Sequence, residues 1–377
     1  MAQPPLRLFA AILGLLTAAA CSPMRIEEAA KVLSDIDAGP GPSALKRATE
    51  SPDRRPLAFE IDGRRHLGDL YVPADGARAG MVVVPGLSPD GKDDSRLVAF
   101  ANTFARAGFE VLVPDIAGLR ALQVSAADSR IIADAALYLE SRAAGRPRGI
   151  TAISFAVGPA VLALLEPGVD ERTDVLVAVG GYFDIEAVLA FVTTGSFREG
   201  SSAPWRRRTP NAYGKWVFVA SNVPRLADPD DRSVLTAMAE RKLADPAADV
   251  ADLVAGLGAE GQAVYALLTN DDPDRVPALV QGLPEAVAAE IAALDLKTRD
   301  LGALTTKFVL VHGLDDPVIP ETESIALVAA LPDDHANLYL LDSLDHVDPK
   351  PAGLSDKLKL LDAIYTALAV RDEKTGR

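Results

Sequence analysis

One cysteine and four histidines in 377 residues are few enough to remove several classes of protein at once. A disulfide framework needs paired cysteines, and a zinc site needs closely spaced Cys or His ligands. Cys21 stands alone, and His66, His312, His335 and His346 are scattered, so neither disulfides nor a metal are expected. No glycine-rich phosphate loop follows an apolar run, and no internal repeat or low-complexity tract is evident. Basic charge is short as well. The 38 Lys and Arg are outnumbered by 53 Asp and Glu, and the net charge of −15 argues against nucleic acid as a partner. The run Trp205-Arg206-Arg207-Arg208 is the local exception and reads as a solvated loop. What remains, at 49% hydrophobic and 24% charged, can bury one large core or a core with a subdomain.

Against that background the stretch TAISFAVGP, Thr151 to Pro159, carries the most information. Gly149 to Ile153 is a short β-branched run suited to a covered parallel strand, and Ala156 to Leu165 is small and apolar, as a helix packed on a sheet would be. Ser154 falls at the junction. A serine hydroxyl needs exposure, a base and nearby amides to act as a nucleophile, and a strand-turn-helix junction offers all three. Taken alone, it fits an ordinary helix N-cap equally well. The sequence here resembles the nucleophile elbow of the α/β-hydrolase superfamily, G-x-S-x-G, with Ala152 and Ala156 in place of the two glycines and Gly158 as the first glycine beyond.

Two later segments resemble the same superfamily in the same order. KFVLVHGLDDPVIP, Lys307 to Pro320, is an apolar strand entering a Gly-Asp turn, and the resemblance implies Asp316 as the catalytic acid, with Asp315 the neighbouring alternative. NLYLLDSLDHVDP, Asn337 to Pro349, reads as the last strand and a loop, and the resemblance implies His346 as the general base. Asp345 and Asp348 are a competing environment that would hold His346 as a surface cation. The loop after GMVVVPGL, Gly80 to Leu87, supplies by the same resemblance the Leu87 amide of an oxyanion hole, beside that of Phe155.

The N-terminus reads as an address. Arg7, the apolar run Leu8 to Leu16 and the small residues before Cys21 have the layout of a secretory signal, too short to span a membrane as a mature helix. The segment resembles a bacterial lipobox, which implies lipidation of Cys21 and, with Ser22 next, an outer-membrane lipoprotein facing the periplasm; cleavage after Ala20 to a soluble periplasmic or secreted protein is the alternative.

These readings give an α/β fold: a mainly parallel sheet covered by helices, with a signal over 1–20, a tether over 21–56, the core in 57–184 and 304–371, and a helical lid over 185–303. Asp62-Gly63 marks an entry hairpin. The lid is expected to shape the pocket without supplying chemistry, since Ser154, Asp316 and His346 lie outside it. The implied function is cofactor-free hydrolysis of a small or lipid-like carboxylic ester at the cell envelope. A peptidase with the same triad and a catalytically silent binding protein are the alternatives, and oligomeric state is not legible.

Overall fold

The computed structural model describes residues 22–373. Cys21 and the signal-like segment before it lie outside the described residues. Eight strands form one sheet: β1 Asp53–Ile61, β2 Arg64–Val72, β3 Ala79–Val84, β4 Phe109–Pro114, β5 Arg148–Ile153, β6 Val175–Val179, β7 Lys307–Gly313 and β8 Ala336–Leu341. Their order is β1-β2-β4-β3-β5-β6-β7-β8, antiparallel at β1–β2 and β2–β4 and parallel elsewhere. The entry hairpin forms at Asp62 and Gly63, whose φ values of 49° and 77° are those of a tight turn matched to strand twist.

Helices of eight or more residues are α1 Pro23–Ala38, α2 Ser95–Arg106, α3 Asp128–Arg142, α4 Val157–Leu164, α5 Ile185–Thr194, α6 Tyr213–Asn222, α7 Pro229–Ala244, α8 Ala259–Leu268, α9 Glu285–Leu294, α10 Glu321–Ala330 and α11 Leu354–Asp372. Alternation along each central strand divides the core into two layers. Val82, Val84, Ile150, Ala152, Leu176 and Leu310 face α3, α4 and the insert. Met81, Val83, Val111, Val175 and Val309 face α1, α2 and α11. Strands covered on both sides are apolar throughout, as β3 is.

The stretch expected to be a short helix and a tether is packed on the core by two helices. Ser22 caps α1, whose Ala29 and Val32 are fully buried with Ile36 packed beside them, and Leu45 of the following short helix Ala44–Ala48 is buried in the same layer. Buried Asp35 accepts hydrogen bonds from Ser43 and from the Thr103 hydroxyl at 2.6 Å, and pairs with Lys46 at 2.9 Å. Gly39 to Ser43 thus turns the chain between two helices. Apolar spacing at 29, 32 and 36 outweighs the Gly and Pro signal, because it supplies a face to bury.

In the alanine-rich stretch Ala247 to Leu257 of the insert only the single turn Ala251–Val254 is helical. Asp245 and Asp249 accept from the Ala247 and Ala251 amides, both at 2.9 Å, and break the run locally. The insert also carries α5 and α6.

Candidate active site

The strand order reverses where the chain leaves β4 and returns to place β5 beside β3, so the loops after β3 and β5 diverge from one point on the carboxyl edge of the sheet. Val84 pairs with Ala152, and two residues beyond that pair lie Gly86 and Ser154. They are close: a Cβ built on Gly86 would stand 3.5 Å from the Ser154 Cβ. This puts the Gly86-Leu87 backbone against the serine that the Phe155 amide follows.

Ser154 has φ 59°, a left-handed conformation that non-glycine residues rarely adopt, and it opens the 3₁₀ turn Ser154–Ala156 that runs into α4. The sharp turn lifts the side chain out of the strand. Ala152 and Ala156 are completely buried, and their single methyl groups are accommodated. The close approach that glycine must serve has moved one turn on. A Cβ on Gly158 would meet the Tyr182 hydroxyl at 2.0 Å, and Tyr182, itself buried, donates to the Leu294 carbonyl at 3.2 Å.

His346 arrives from the other side. The two-residue ladder Leu344–Asp345 with Asp348–Pro349 closes a hairpin around it and holds its φ at 55°. Gly313 admits this hairpin, since a Cβ there would lie 2.1 Å from the Leu344 carbonyl oxygen. Gly180, with φ 62°, leaves room for the imidazole, whose Nδ1 lies 3.4 Å from where a Cβ would be. The Ser154 hydroxyl then meets His346 Nε2 at 2.7 Å, and His346 Nδ1 meets Asp316 Oδ2 at 2.7 Å. Asp345 and Asp348 do not compete, being paired with Lys350 and Arg96.

The two neighbouring aspartates differ in exposure. The Asp315 side chain is 84% exposed, whereas that of Asp316 is fully buried. Asp316 Oδ1 accepts from the Val318 and Ile319 amides at 2.7 and 3.0 Å, leaving Oδ2 for the imidazole. Burial by itself would raise this carboxyl; hydrogen bonds to His312 and His346 outweigh it and hold Asp316 well below the usual carboxylate range. Asp316 is therefore ionised wherever the protein is folded near neutrality.

Three contributors were not assigned a role from the sequence. His312 lies buried at the end of β7 with Nε2 2.9 Å from the Ile319 carbonyl and 3.3 Å from Asp316 Oδ2. That carbonyl fixes the proton on Nε2, and the Ser324 hydroxyl donates to Nδ1 at 2.7 Å. Glu323, on α10, accepts at one oxygen from the Phe183 and Asp184 amides at 3.0 and 2.7 Å, anchoring the entry to the insert. Arg208, within the run expected to be solvated, reaches the Asp316 turn. The remaining histidines sit elsewhere, His66 on Asp134 at 2.8 Å and His335 on the Asp333 carbonyl at 3.0 Å.

A pocket opens beside this relay. Leu87 and Phe155 form its inner wall, and the rest comes largely from the insert: Ile185 and Leu189 of α5, Val217 of α6, Leu294 of α9. Its polar side chains are already engaged. Ser221 accepts from the Val124 amide at 3.1 Å, Asn222 donates to the Phe218 carbonyl at 2.9 Å, and Glu290 accepts from the Ala126 amide at 2.7 Å and pairs with Arg225 at 3.2 Å. The surface left to a ligand is apolar.

Strand order, switch point and helix layers together are those of the α/β-hydrolase fold. A solved structure with a similar fold is that of a Legionella pneumophila protein provisionally assigned as a hydrolase, at TM-score 0.53 and 10% identity over 86% of this chain and 89% of that one. At lower TM-scores of 0.43 and 0.41 stand a serine hydrolase of the polyaromatic hydrocarbon-degrading Cycloclasticus zankles (16% identity, 84% and 96% covered) and the esterase domain of a Rhodothermus marinus protein (13% identity, 85% and 98% covered). No family profile matches the chain, and no curated protein does.

Proposed function

We propose that the protein is a serine hydrolase that cleaves carboxylic esters by acyl transfer to water. The observation that carries this reading is the unbroken relay Ser154–His346–Asp316, with the serine backbone at φ 59°. Ser154 Oγ attacks the ester carbonyl while its proton passes to His346 Nε2. The oxyanion is met by the Leu87 and Phe155 amides, and the Asp316 carboxylate stabilises the imidazolium. His346 returns the proton to the departing alkoxide, leaving an acyl-enzyme. Water then repeats the sequence and releases acid and enzyme. The alanine-substituted elbow was the best support for a silent binding protein, and that support weakens because both alanines fit without displacing Ser154. A peptidase would use the same groups, but a pocket whose polar side chains are all engaged favours an apolar acyl chain over a peptide.

The test is labelling of Ser154 by a fluorophosphonate together with an acyl-length series of aryl esters. Each methylene that enters the pocket is worth about 0.8 kcal/mol, or roughly fourfold in kcat/KM. The rise should continue until the pocket is full. In Val217→Phe it should stop at shorter chains while acetate esters are hydrolysed as before. A profile unchanged by Val217→Phe removes the pocket assignment, and a parent protein that is not labelled removes the hydrolase.

We further propose that the chain is exported and acylated at Cys21. The sequence pattern supports this, and the next residue is tied to the body: the Ser22 amide donates to the Tyr365 hydroxyl of α11 at 3.1 Å. Among the described residues no helix is long and apolar enough to cross a membrane, so attachment would rest on acyl chains, of which one alone binds only marginally. In a Gram-negative host, Cys21→Ser is expected to move the protein from the membrane to the soluble fraction. An unmodified intact mass for the mature parent would end the proposal.

A further inference from the structure

The insert was expected to shape the pocket and nothing more, yet it sends one side chain into the turn that carries the acid. We propose that Arg208 is a positioning residue of the reaction, clamping the Asp316 turn from the insert so that the carboxylate stays in line with His346. The inference rests on the triad reading above and adds a part to it.

Ser196–Phe197 and Arg206–Arg207 form a two-residue antiparallel ladder. The period of two along an extended segment puts Arg206 and Arg208 on one face and turns Arg207 to solvent. Phe197 lies under both guanidinium groups, 4.5 Å from Arg206 and 4.6 Å from Arg208. Beyond the ring, Arg208 Nη1 donates to the Asp316 carbonyl at 2.9 Å, while Nη2 donates to the Leu314 carbonyl at 2.8 Å and to Glu321 Oε2 at 3.0 Å. Glu321 is buried and also takes Arg206 at 3.2 Å, which fixes the direction of both arginines. A neighbouring strut runs from the Asn211 amide to the Pro317 carbonyl at 2.7 Å.

Together these contacts hold the turn 314–317 by its carbonyls. That matters because Asp316 has both oxygens committed, one to backbone amides and one to the imidazole, so a rotation of the turn moves Oδ2 directly. A planar fork can serve two carbonyls and a carboxylate at once, whereas an ammonium on a flexible stem cannot hold the same geometry. A shift of about 1 Å in such a group costs on the order of 100-fold in rate.

Arg208→Ala is therefore expected to lower kcat 10- to 100-fold with KM within twofold, to slow fluorophosphonate labelling of Ser154 by a similar factor, and to weaken or shift the low-field proton signal of His346 Nδ1–H on Asp316. Arg208→Lys should fall about tenfold in kcat, and Arg207→Ala, whose side chain is exposed, should match the parent. Melting curves accompany each variant. Should Arg208→Ala fail to fold, Arg208→Lys carries the test, and parent-like kcat in it overturns the proposal. So does a folded Arg208→Ala with kcat within twofold of the parent and an unchanged low-field signal. The proton signal does not depend on turnover, so a parent protein that cannot be labelled fails as a hydrolase while the signal still decides the role of Arg208.

Discussion

Ser154→Ala and His346→Ala are each expected to lower kcat for a short activated ester by about 10⁴- to 10⁶-fold, and Asp316→Asn by about 10⁴-fold. The three act as one unit on the nucleophile, so the losses do not add. A Ser154→Ala/His346→Ala double variant should be no slower than the worse single one, because the base has nothing to serve without the nucleophile. Asp316→Asn acts differently, since an amide in that buried slot can present its NH₂ to Nδ1 and favour the wrong tautomer. Asp315→Asn is the control: that side chain is 84% exposed, and its variant should remain within twofold of the parent. Steady-state rates and fluorophosphonate labelling check all of these. An Asp315 variant that is inactive beside a normal Asp316 variant would reassign the acid despite the geometry.

Stability is expected to depend on pH through Glu323, and glutamine at that position should remove the dependence. Burial is the main cause that pushes this carboxyl up to about 8, with the charges of Asp184 and Asp295 adding to it and the two amide hydrogen bonds opposing. Lys297, the cation at this cluster, is paired to Asp184 at 2.7 Å. The folded value lies above the ordinary 4.5 of a glutamate, so between the two the native state holds a proton that the unfolded chain releases. Glu323 therefore favours folding fully below about pH 4.5, and that contribution is lost as pH rises to about 8. A displacement of this size corresponds to on the order of 3–5 kcal/mol. Glu323→Gln keeps a carbonyl oxygen for the Phe183 and Asp184 amides and has no proton to lose. Relative to the parent it should gain stability from about pH 4.5 to about 8 and level off above that, read from urea midpoints, with any constant offset cancelling. Parallel stability curves for the two proteins would show that Glu323 is not a buried neutral acid.

The sheet was legible because its strands are short apolar runs between Gly, Pro and Asp breaks, a pattern that burial on both faces imposes. The Asp62-Gly63 turn was legible for a local reason, since few residue pairs accept positive φ twice in succession. The order of Ser154, Asp316 and His346 could be read along the chain, and the structure brings the three together. Other parts depend on what folds against what. Residues 21–56 looked like a tether because Gly39 to Ser43 is rich in breaks, and only the burial of Ala29, Val32 and Leu45 shows that the breaks punctuate packed helices. Arg208 looked like part of a solvated run, and the period of two that turns it onto Phe197 needs a partner strand 11 residues away. His312 had one signal available: a histidine inside an otherwise apolar strand needs partners, and Asp316 four residues on was near enough to be one.

The clasp between α1 and α11 sets an order of events. Ser22 bonds to Tyr365, and Arg371 grips the Glu28 carboxylate with both terminal nitrogens, partners 343 residues apart. Ala29 and Val32 share their layer with Leu45 and Phe104, close in sequence, and with Leu368, far from them, and closure of the long loop comes after the shorter ones. The contacts of α1 with α2 close a short loop and those with α11 a long one, so the clasp is expected to be among the last contacts to form.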